Sequence, residues 1–317
     1  NLTIAPNLND PETLWKSNQL GATGNHLHLN ALYDVLNRTY IDALVQTAST
    51  YQEHRACIQM IERVTLDKVI LIADRGYENY NIMSHAIEKG WKFLIRIKDV
   101  HSNGIASGLE LPQTAVFDMD INLILTRNQT KSKKQAGYKF MPTVQTFDYL
   151  PIGSKEDYPI SFRIARFNIA DDSYETVITN LDRFCFSAEK LKELYHLRWG
   201  IETSFRELKY AIGLTSFHAK KVDYIKQEIF ARLTLYNYCE LITTYVVEHT
   251  ENISKKNQVN FTIAIYICRE YLRRKRKLRP PDVVKLIEKH ILPIRPGRRD
   301  PRKVKPQASV SFLYRVA

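Results

Sequence analysis

The sequence lacks several features that would assign a function directly. Of its 317 residues only four are cysteine (Cys57, Cys185, Cys239 and Cys268), and no two of them have Cys-x-x-Cys spacing. Neither a cysteine-based zinc site nor a disulfide framework is indicated, and a reducing, cytoplasmic setting fits. Glycine is also scarce, and no phosphate-binding loop, dinucleotide fingerprint or nucleophilic serine elbow occurs. This argues against nucleotide-driven and acyl-transfer chemistry.

Long apolar runs are missing as well. No stretch approaches the roughly 20 apolar residues that a membrane-spanning helix needs, so we expect no membrane partner. Hydrophobic residues still make up 44% of the chain, enough for a substantial core in one large domain or two smaller ones. The chain begins with Asn1 rather than Met. It is either processed or a fragment, and we expect a fragment.

Positive charge is concentrated near the C-terminus. Residues 269–305 contain 15 Lys and Arg against 4 Asp and Glu, a net charge of +11, whereas the whole chain carries +12. Such a segment favours an electrostatic partner such as DNA phosphate. A solvated tail without a specific partner is the alternative.

The apolar patterns predict an α/β order of elements. We expect irregular structure over 1–25, then strands at HLHLNALYDVL and YIDALVQTA, a helix over 52–64, a strand at VILIA, a helix over 78–89 and a strand at WKFLIRIK. Short alternating runs follow in 100–185, at AVFDMDINLIL, TVQTFDYL, SFRIARFNIA and ETVITNL. Helices are predicted after Ser187 and over 220–247 and 260–276, and Pro280 and Pro281 are expected to begin a short helix or a linker.

Four residues of YHLRWGIETSFRELKYAIGL have a spacing that indicates a site. Tyr195, Arg198, Glu202 and Lys209 have offsets of 0, 3, 7 and 14. On one helix they would share a stripe about 60° wide and about 21 Å long. Beside it we expect an apolar stripe packed on a core, formed by Leu194, Leu197, Ile201, Phe205, Leu208 and Ile212. A carboxylate can hold a metal ion, and two cations and a phenol can hold phosphate. An ordinary surface ion pair between Arg198 and Glu202 is the alternative.

Two motifs resemble those of a known family. The Tyr-x2-Arg-x3-Glu-x6-Lys spacing is similar to the YREK signature of the IS4 group of bacterial insertion-sequence transposases. The ADRGY segment at 73–77, inside VILIADRGYENYNIMSHAIEKGWKFLIRIKD, resembles the strand that carries the second acid of that family's DDE triad. The resemblance extends from near residue 10 to the C-terminal VSFLYRVA.

The resemblance implies an RNase H-like fold, a mixed sheet flanked by helices. Its first part would be residues 1–99, a β-rich insertion 100–185, its second part 186–250, and a helical, basic region 251–317. Asp74 and Glu202 would be the second and third catalytic acids, and would bind Mg²⁺, or Mn²⁺ in its place. Tyr195, Arg198 and Lys209 would contact DNA phosphates. From the residues alone, Asp74 could instead cap the helix that follows it.

The first acid of the triad has no clear counterpart. In the family it lies on the opening strand in an Asp-Gly-Ser/Thr-like context, and no such motif occurs in residues 1–25. We expect that strand to lie before Asn1. Asp10 and Asp34 are possible substitutes, although a structural role is expected for Asp34.

The resemblance implies a transposase that cuts element ends and joins them to target DNA by two-metal phosphoryl transfer. Its partners would be double-stranded DNA, as terminal inverted repeats and as target, and a second copy of the chain. It would be associated with the nucleoid. The alternative is a truncated, inactive remnant that only binds DNA, and a cellular RNase H-like nuclease is a less favoured third hypothesis.

We predict that the chain, with the sequence printed, is inactive or severely impaired in cleaving DNA ends because its first metal-binding acid is missing. The measurement is a strand-cleavage assay on terminal-repeat DNA with Mg²⁺. Robust turnover would refute the assignment of a missing acid.

Overall fold

A computed structural model describes residues 1–16, 23–100, 102–134, 137–170, 173–249, 257–275 and 279–294. The chain forms two compact units. The discontinuous unit comprises residues 1–52 and 200–317, and the central unit comprises residues 53–199. The predicted division at residues 99, 185 and 250 remains a prediction. The two compact units do not show where a catalytic domain would be interrupted by an insertion.

The discontinuous unit begins with an antiparallel sheet. Its strands are β1 (Leu2–Ile4), β2 (Leu14–Lys16), β3 (Thr23–Asp34) and β4 (Thr39–Thr47), and β3 pairs with each of the other three. The predicted pair of strands is therefore confirmed as the β3–β4 hairpin. The prediction that residues 1–25 are irregular was wrong, because the apolar Leu2 and Ile4 are buried and β1 pairs with β3.

The central unit is built on a mixed six-stranded sheet. Its strands are β5 (Ile70–Ala73), β6 (Lys92–Arg96), β7 (Phe117–Thr126), β8 (Tyr138–Phe140), β9 (Asp157–Ala170) and β10 (Ser173–Thr179), in the order β5-β6-β10-β9-β7-β8. The β5–β6 and β7–β8 pairs are parallel, and the other pairs are antiparallel. The segment 100–185 therefore contributes four strands that continue the sheet begun by β5 and β6.

One predicted strand of this segment does not form. Residues 143–150, TVQTFDYL, fold as turns. The buried apolar residues of this stretch, Phe147 and Leu150, are three residues apart, which does not match the two-residue period of a strand. The carboxylate of Asp148 between them accepts hydrogen bonds from the Asn81 amide at 3.0 Å and His85 Nε2 at 2.9 Å, and these bonds replace strand pairing.

Helices cover both faces of the mixed sheet. They are α1 (Glu53–Arg63), α2 (Tyr80–Glu88) and α3 (Ala188–His196). Leu191 and Tyr195 of α3 pack in one buried cluster with Leu94, Ala165, Phe167, Val177 and Leu181. Side chains alternate along a strand, so Phe162 of β9 points to the other face, where its ring lies 6.4 Å from that of Tyr80 on α2.

The discontinuous unit is completed by helices from the C-terminal half. They are α4 (Trp199–Glu207), whose first residue belongs to the central unit, α5 (Val222–His249), α6 (Phe261–Arg273) and α7 (Val283–Glu288), with a small hairpin of β11 (Asn257–Val259) and β12 (Ile291–Pro293). The 28-residue α5 contributes six members of the buried core: Ile225, Ile229, Leu233, Tyr236, Cys239 and Val246. Among the described residues, no helix is long and apolar enough to cross a membrane.

Candidate functional site

The segment that carries Tyr195, Arg198, Glu202 and Lys209 is not one continuous α-helix, so the prediction of a single stripe was wrong. Helix α3 ends at His196, α4 begins at Trp199, and a π-helical turn, Leu208–Ile212, follows α4. The amides of Leu197 and Arg198 donate to carbonyls three residues back, at 3.1 Å each, which is a 3₁₀ rather than an α-helical pattern. Gly200, a residue about 1 kcal/mol less favourable than Ala inside a helix, lies just after the break.

The break also changes the predicted apolar stripe. Leu208 and Ile212 are buried as expected, but Leu197 is 38% exposed. The other members of the stripe are only partly buried. The helix face that was expected to pack on a core continuously therefore packs in two separate parts.

Asp74 lies where a buried strand of the central unit ends. It follows β5 directly, and its Oδ1 accepts a hydrogen bond from the Gly76 amide at 2.8 Å. Asp74 is exposed to solvent. The capping role that the residues alone suggested is therefore present, and it uses one of the two carboxylate oxygens. Asp74 also lies at the carboxyl edge of a parallel strand pair, which is where ligand sites of α/β sheets gather.

Arg96 lies beside Asp74 and was missed by the sequence reasoning. In the parallel β5–β6 pair, Ala73 is opposite Ile95, so the next residue of each strand, Asp74 and Arg96, is at the same level of the sheet. Residues opposite each other in a pair point to the same face. The signal that could have found Arg96 is its position as the first cation after the apolar FLI run.

Glu175 connects this edge to α3. The Arg96 Nε is 3.1 Å from Glu175 Oε1 on β10, and the Glu175 side chain is only 11% exposed whereas that of Arg96 is 39% exposed. Both residues act electrostatically on Tyr195. The edge therefore holds Asp74, Arg96 and Glu175 on the sheet with Tyr195 above them on α3.

Tyr195 and Arg198 come together in the central unit. Burial raises the pKa of the Tyr195 phenol, the positive charge of Arg198 opposes this, Glu175 raises the pKa further, and Arg96 lowers it. The hydroxyl is buried without a partner of ordinary hydrogen-bond geometry among the described residues. The Arg198 guanidinium lies 5.5 Å from the Tyr195 ring and 5.3 Å from the Trp199 ring. A buried phenol with two cations nearby is suited to an anionic oxygen such as that of a phosphate.

Glu202 and Lys209 belong to the discontinuous unit. Glu202 is exposed on the first turns of α4, and Lys209 is half-buried on the π-helical turn, where the α-helical rise used to predict its position no longer applies. The other side of α4 is anchored: the Ser204 hydroxyl lies 2.7 Å from the Tyr40 hydroxyl. The structure therefore presents the Glu202 carboxylate on a helix whose buried face is fixed.

The proposed metal ligands have chemistry that suits a hard divalent ion. Asp74 and Glu202 are both exposed carboxylates, and Mg²⁺ is held through one or two carboxylates while it keeps several waters. Among the described residues, no three or more His, Cys, Asp or Glu side chains are grouped closely enough to hold a metal ion. Each carboxylate is thus of a type that such an ion accepts, and the assignment of either as a metal ligand remains a prediction.

The suggested substitutes for the first acid serve as turn residues. Asp10 accepts from the Glu12 amide and the Thr13 hydroxyl, and Asp34 accepts from the amides of Leu36 and Asn37. Of the basic segment, residues 276–278 and 295–305 lie outside the described residues, and so does the VSFLYRVA end.

Comparison with known proteins supports a transposase family. A family model described as "Transposase DDE domain" matches residues 11–238. A probable transposase for insertion sequence element IS5377 of Geobacillus stearothermophilus is 23% identical over 178 residues. The match covers 55% of this chain and 40% of that relative, so the chain spans less than half the length of the relative.

The capping role and a chemical role of Asp74 can be separated by two variants. We predict that Asp74→Ala, which removes the acceptor for the Gly76 amide, lowers the free energy of unfolding by about 1 kcal/mol. Asp74→Asn keeps an acceptor oxygen and should cost less than about 0.5 kcal/mol. Urea unfolding of both variants is the measurement, and an equal loss in both would show that the negative charge itself stabilises the fold.

Proposed function

The chain belongs to the transposase DDE domain family, and on this premise we propose that it handles the ends of an insertion sequence of the IS4 group. The proposed reaction is cleavage at the element ends followed by joining of the ends to target DNA. Water would be the first nucleophile and a DNA 3′-hydroxyl the second. The fold would be RNase H-like, and two copies of the chain would act on paired ends.

The observation that carries this proposal is the cluster at the edge of the mixed sheet. A carboxylate (Asp74) and two guanidinium groups (Arg96 and Arg198) accompany the buried Tyr195 phenol, whose hydroxyl has no partner of ordinary hydrogen-bond geometry in the part of the chain that the structure describes. Carboxylate and cations at one sheet edge are what a phosphodiester requires, since its metal ions need anionic ligands and its phosphate oxygens need donors.

Each residue has a proposed role. Asp74 and Glu202 would be acidic metal ligands, and a bound pair of Mg²⁺ ions would stabilise the entering and leaving oxygens of an in-line displacement. Tyr195 and Arg198 would donate hydrogen bonds to a DNA phosphate near the cleavage point. Arg96 would add positive charge to the same phosphate, and Lys209 would hold a second phosphate. Electrostatic attraction of this kind makes DNA binding depend on salt.

The remnant that only binds DNA remains the rival hypothesis. Fluorescence anisotropy with the element's terminal repeats and with a scrambled duplex tests both. A preference of more than about tenfold for the repeats supports either hypothesis, whereas equal affinity for both duplexes contradicts both. Cleavage of the bound repeats then distinguishes the enzyme from the remnant.

Glu202→Gln tests the metal-ligand assignment. In any form of the protein that cleaves element ends, we predict that this change lowers Mg²⁺-dependent cleavage more than about 100-fold, because direct ligands contribute more than the outer partners whose loss costs 10–100-fold. The affinity for repeat DNA should be unchanged. Glu248→Gln, an exposed glutamate on α5, is the control. Cleavage that survives Glu202→Gln would show that the acid is misassigned.

Glu175→Gln tests the phosphate role of Arg96. Glu175 pairs with Arg96 in the free protein, so DNA phosphate must compete with its carboxylate. We predict that the change raises DNA affinity about threefold to tenfold at low salt and makes the logarithmic salt slope steeper by about 1. Glu189→Gln, an exposed residue in the first turn of α3, matches the charge change. An equal gain in both variants would mean that only net charge matters.

A further inference from the structure

A group of oxygens from two buried residues, Tyr236 and Glu240, and two half-buried residues, Glu207 and Tyr33, lies beneath α4 in the discontinuous unit. The Tyr236 hydroxyl is 3.1 Å from Glu207 Oε2, 3.1 Å from Glu240 Oε1 and 3.2 Å from the Tyr33 hydroxyl. Tyr236 and Glu240 are 0% and 1% exposed. The Arg38 Nη2 donates a hydrogen bond to Glu240 Oε1 at 2.9 Å.

The protons of this group can be counted. A phenol carries one proton to donate and has lone pairs with which to accept. If the Tyr33 hydroxyl donates to Tyr236, the Tyr236 hydroxyl can donate to one carboxylate only. Its contact with the second carboxylate then needs a proton on that carboxyl group. Without that proton, the Tyr236 oxygen and the second carboxylate oxygen would be 3.1 Å apart with no hydrogen between them, and such a contact is unfavourable in a buried site.

The electrostatics of the group agree with the count. Burial raises the pKa of Glu240 to about 7, Arg38 opposes this, and Glu207 adds to it. Burial also raises the pKa of Glu207, against the Tyr236 hydrogen bond and the charges of Arg38 and Arg206. The titratable and charged groups that act on the two carboxyls come from both sheet strands and both helices around them. They are Tyr33 on β3, Arg38 just before β4, Tyr40 on β4, Arg206 on α4 and Tyr236 on α5.

The group is attached to the helix that carries Glu202. Glu207 lies five residues after Glu202 on α4, which turns it about 140° around the axis. It faces inward while Glu202 is exposed. With the contact between Ser204 and Tyr40, the Glu207 contact fixes the buried side of α4.

We propose that Glu207 and Glu240 share one proton through the Tyr236 hydroxyl, and that this proton fixes α4 against α5. The three residues are thus positioning residues for the Glu202 carboxylate. The importance of the Glu202 position for catalysis rests on the proposed function. The shared proton is independent of that function.

The sign of the pH dependence follows from the raised pKa values. A carboxyl that titrates higher in the folded protein binds more protons there, so its contribution to stability is present at low pH and is lost as pH rises. For Glu240 the loss runs from about pH 4.5 to about 7. Above neutrality two carboxylates face the phenol, and the attachment of α4 weakens.

Infrared spectroscopy of the whole chain tests the shared proton. A buried protonated carboxylic acid has a carbonyl stretch separate from that of carboxylates. We expect this band at pH 6, its loss by pH 9, and its absence at pH 6 in Glu240→Gln. Glu248→Gln, the exposed control on the same helix, should keep it. Absence of the band from the wild-type protein at pH 6, or its full retention in both Glu240→Gln and Glu207→Gln, would overturn the proposal.

Hydrogen exchange tests the positioning. After correction for intrinsic exchange rates, we expect protection of the α4 amides to fall on the order of tenfold between pH 6 and pH 9 in the wild-type protein. In Glu207→Gln the side-chain amide can donate to the Tyr236 hydroxyl while Tyr236 and Arg38 donate to Glu240, so we expect this protection to be independent of pH. Protection that is already flat in the wild-type protein would contradict the proposal. Neither the infrared nor the hydrogen-exchange measurement uses DNA. Both therefore test the shared proton even if the proposed transposase function is refuted.

Discussion

The parallel pairing of β5 with β6 is the constraint on which the candidate site depends. This short pair sits at one end of a sheet whose neighbouring pairs are antiparallel. Because both strands point the same way, their carboxyl ends meet, and Asp74 and Arg96 emerge side by side. An antiparallel partner would instead have placed a strand start beside Asp74. The rest of the cluster follows from this edge, since β10 brings Glu175 to Arg96 and α3 covers the same face with Tyr195.

Much of the fold could be predicted from the sequence, because apolar periodicity reports which side of an element is buried. The hairpin of β3 and β4 and the helices α1, α2, α5 and α6 were expected close to their observed bounds. Three of the failures have a common cause. Periodicity does not report which backbone hydrogen bond forms, so it missed the 3₁₀ break before Trp199, the π-helical turn at Lys209 and the turns around Asp148.

Residue spacing and family resemblance predicted the candidate site residues. They did not predict which residues these side chains would contact. Arg96 and Glu175 are 79 residues apart in the chain, and only the register of the sheet brings them together. The same holds for Glu207 and Glu240, which are 33 residues apart in the chain and both contact the Tyr236 hydroxyl. In both clusters a carboxylate lies close to a cation or a phenol in a partly dry environment, where charge interactions are stronger than in water. Charge in this protein is therefore arranged by tertiary structure, apart from the basic segment near the C-terminus.

The division of one unit into two stretches of chain affects the order of folding. Tyr40 and Asn237 exchange hydrogen bonds at 2.8 Å across 197 residues of sequence. Closing so long a loop is entropically costly while the intervening chain is disordered, and the cost falls once that chain has become compact. Residues 53–199 are thus expected to fold first during biosynthesis, and the core around α5 is completed only after the polypeptide beyond Tyr236 has been made.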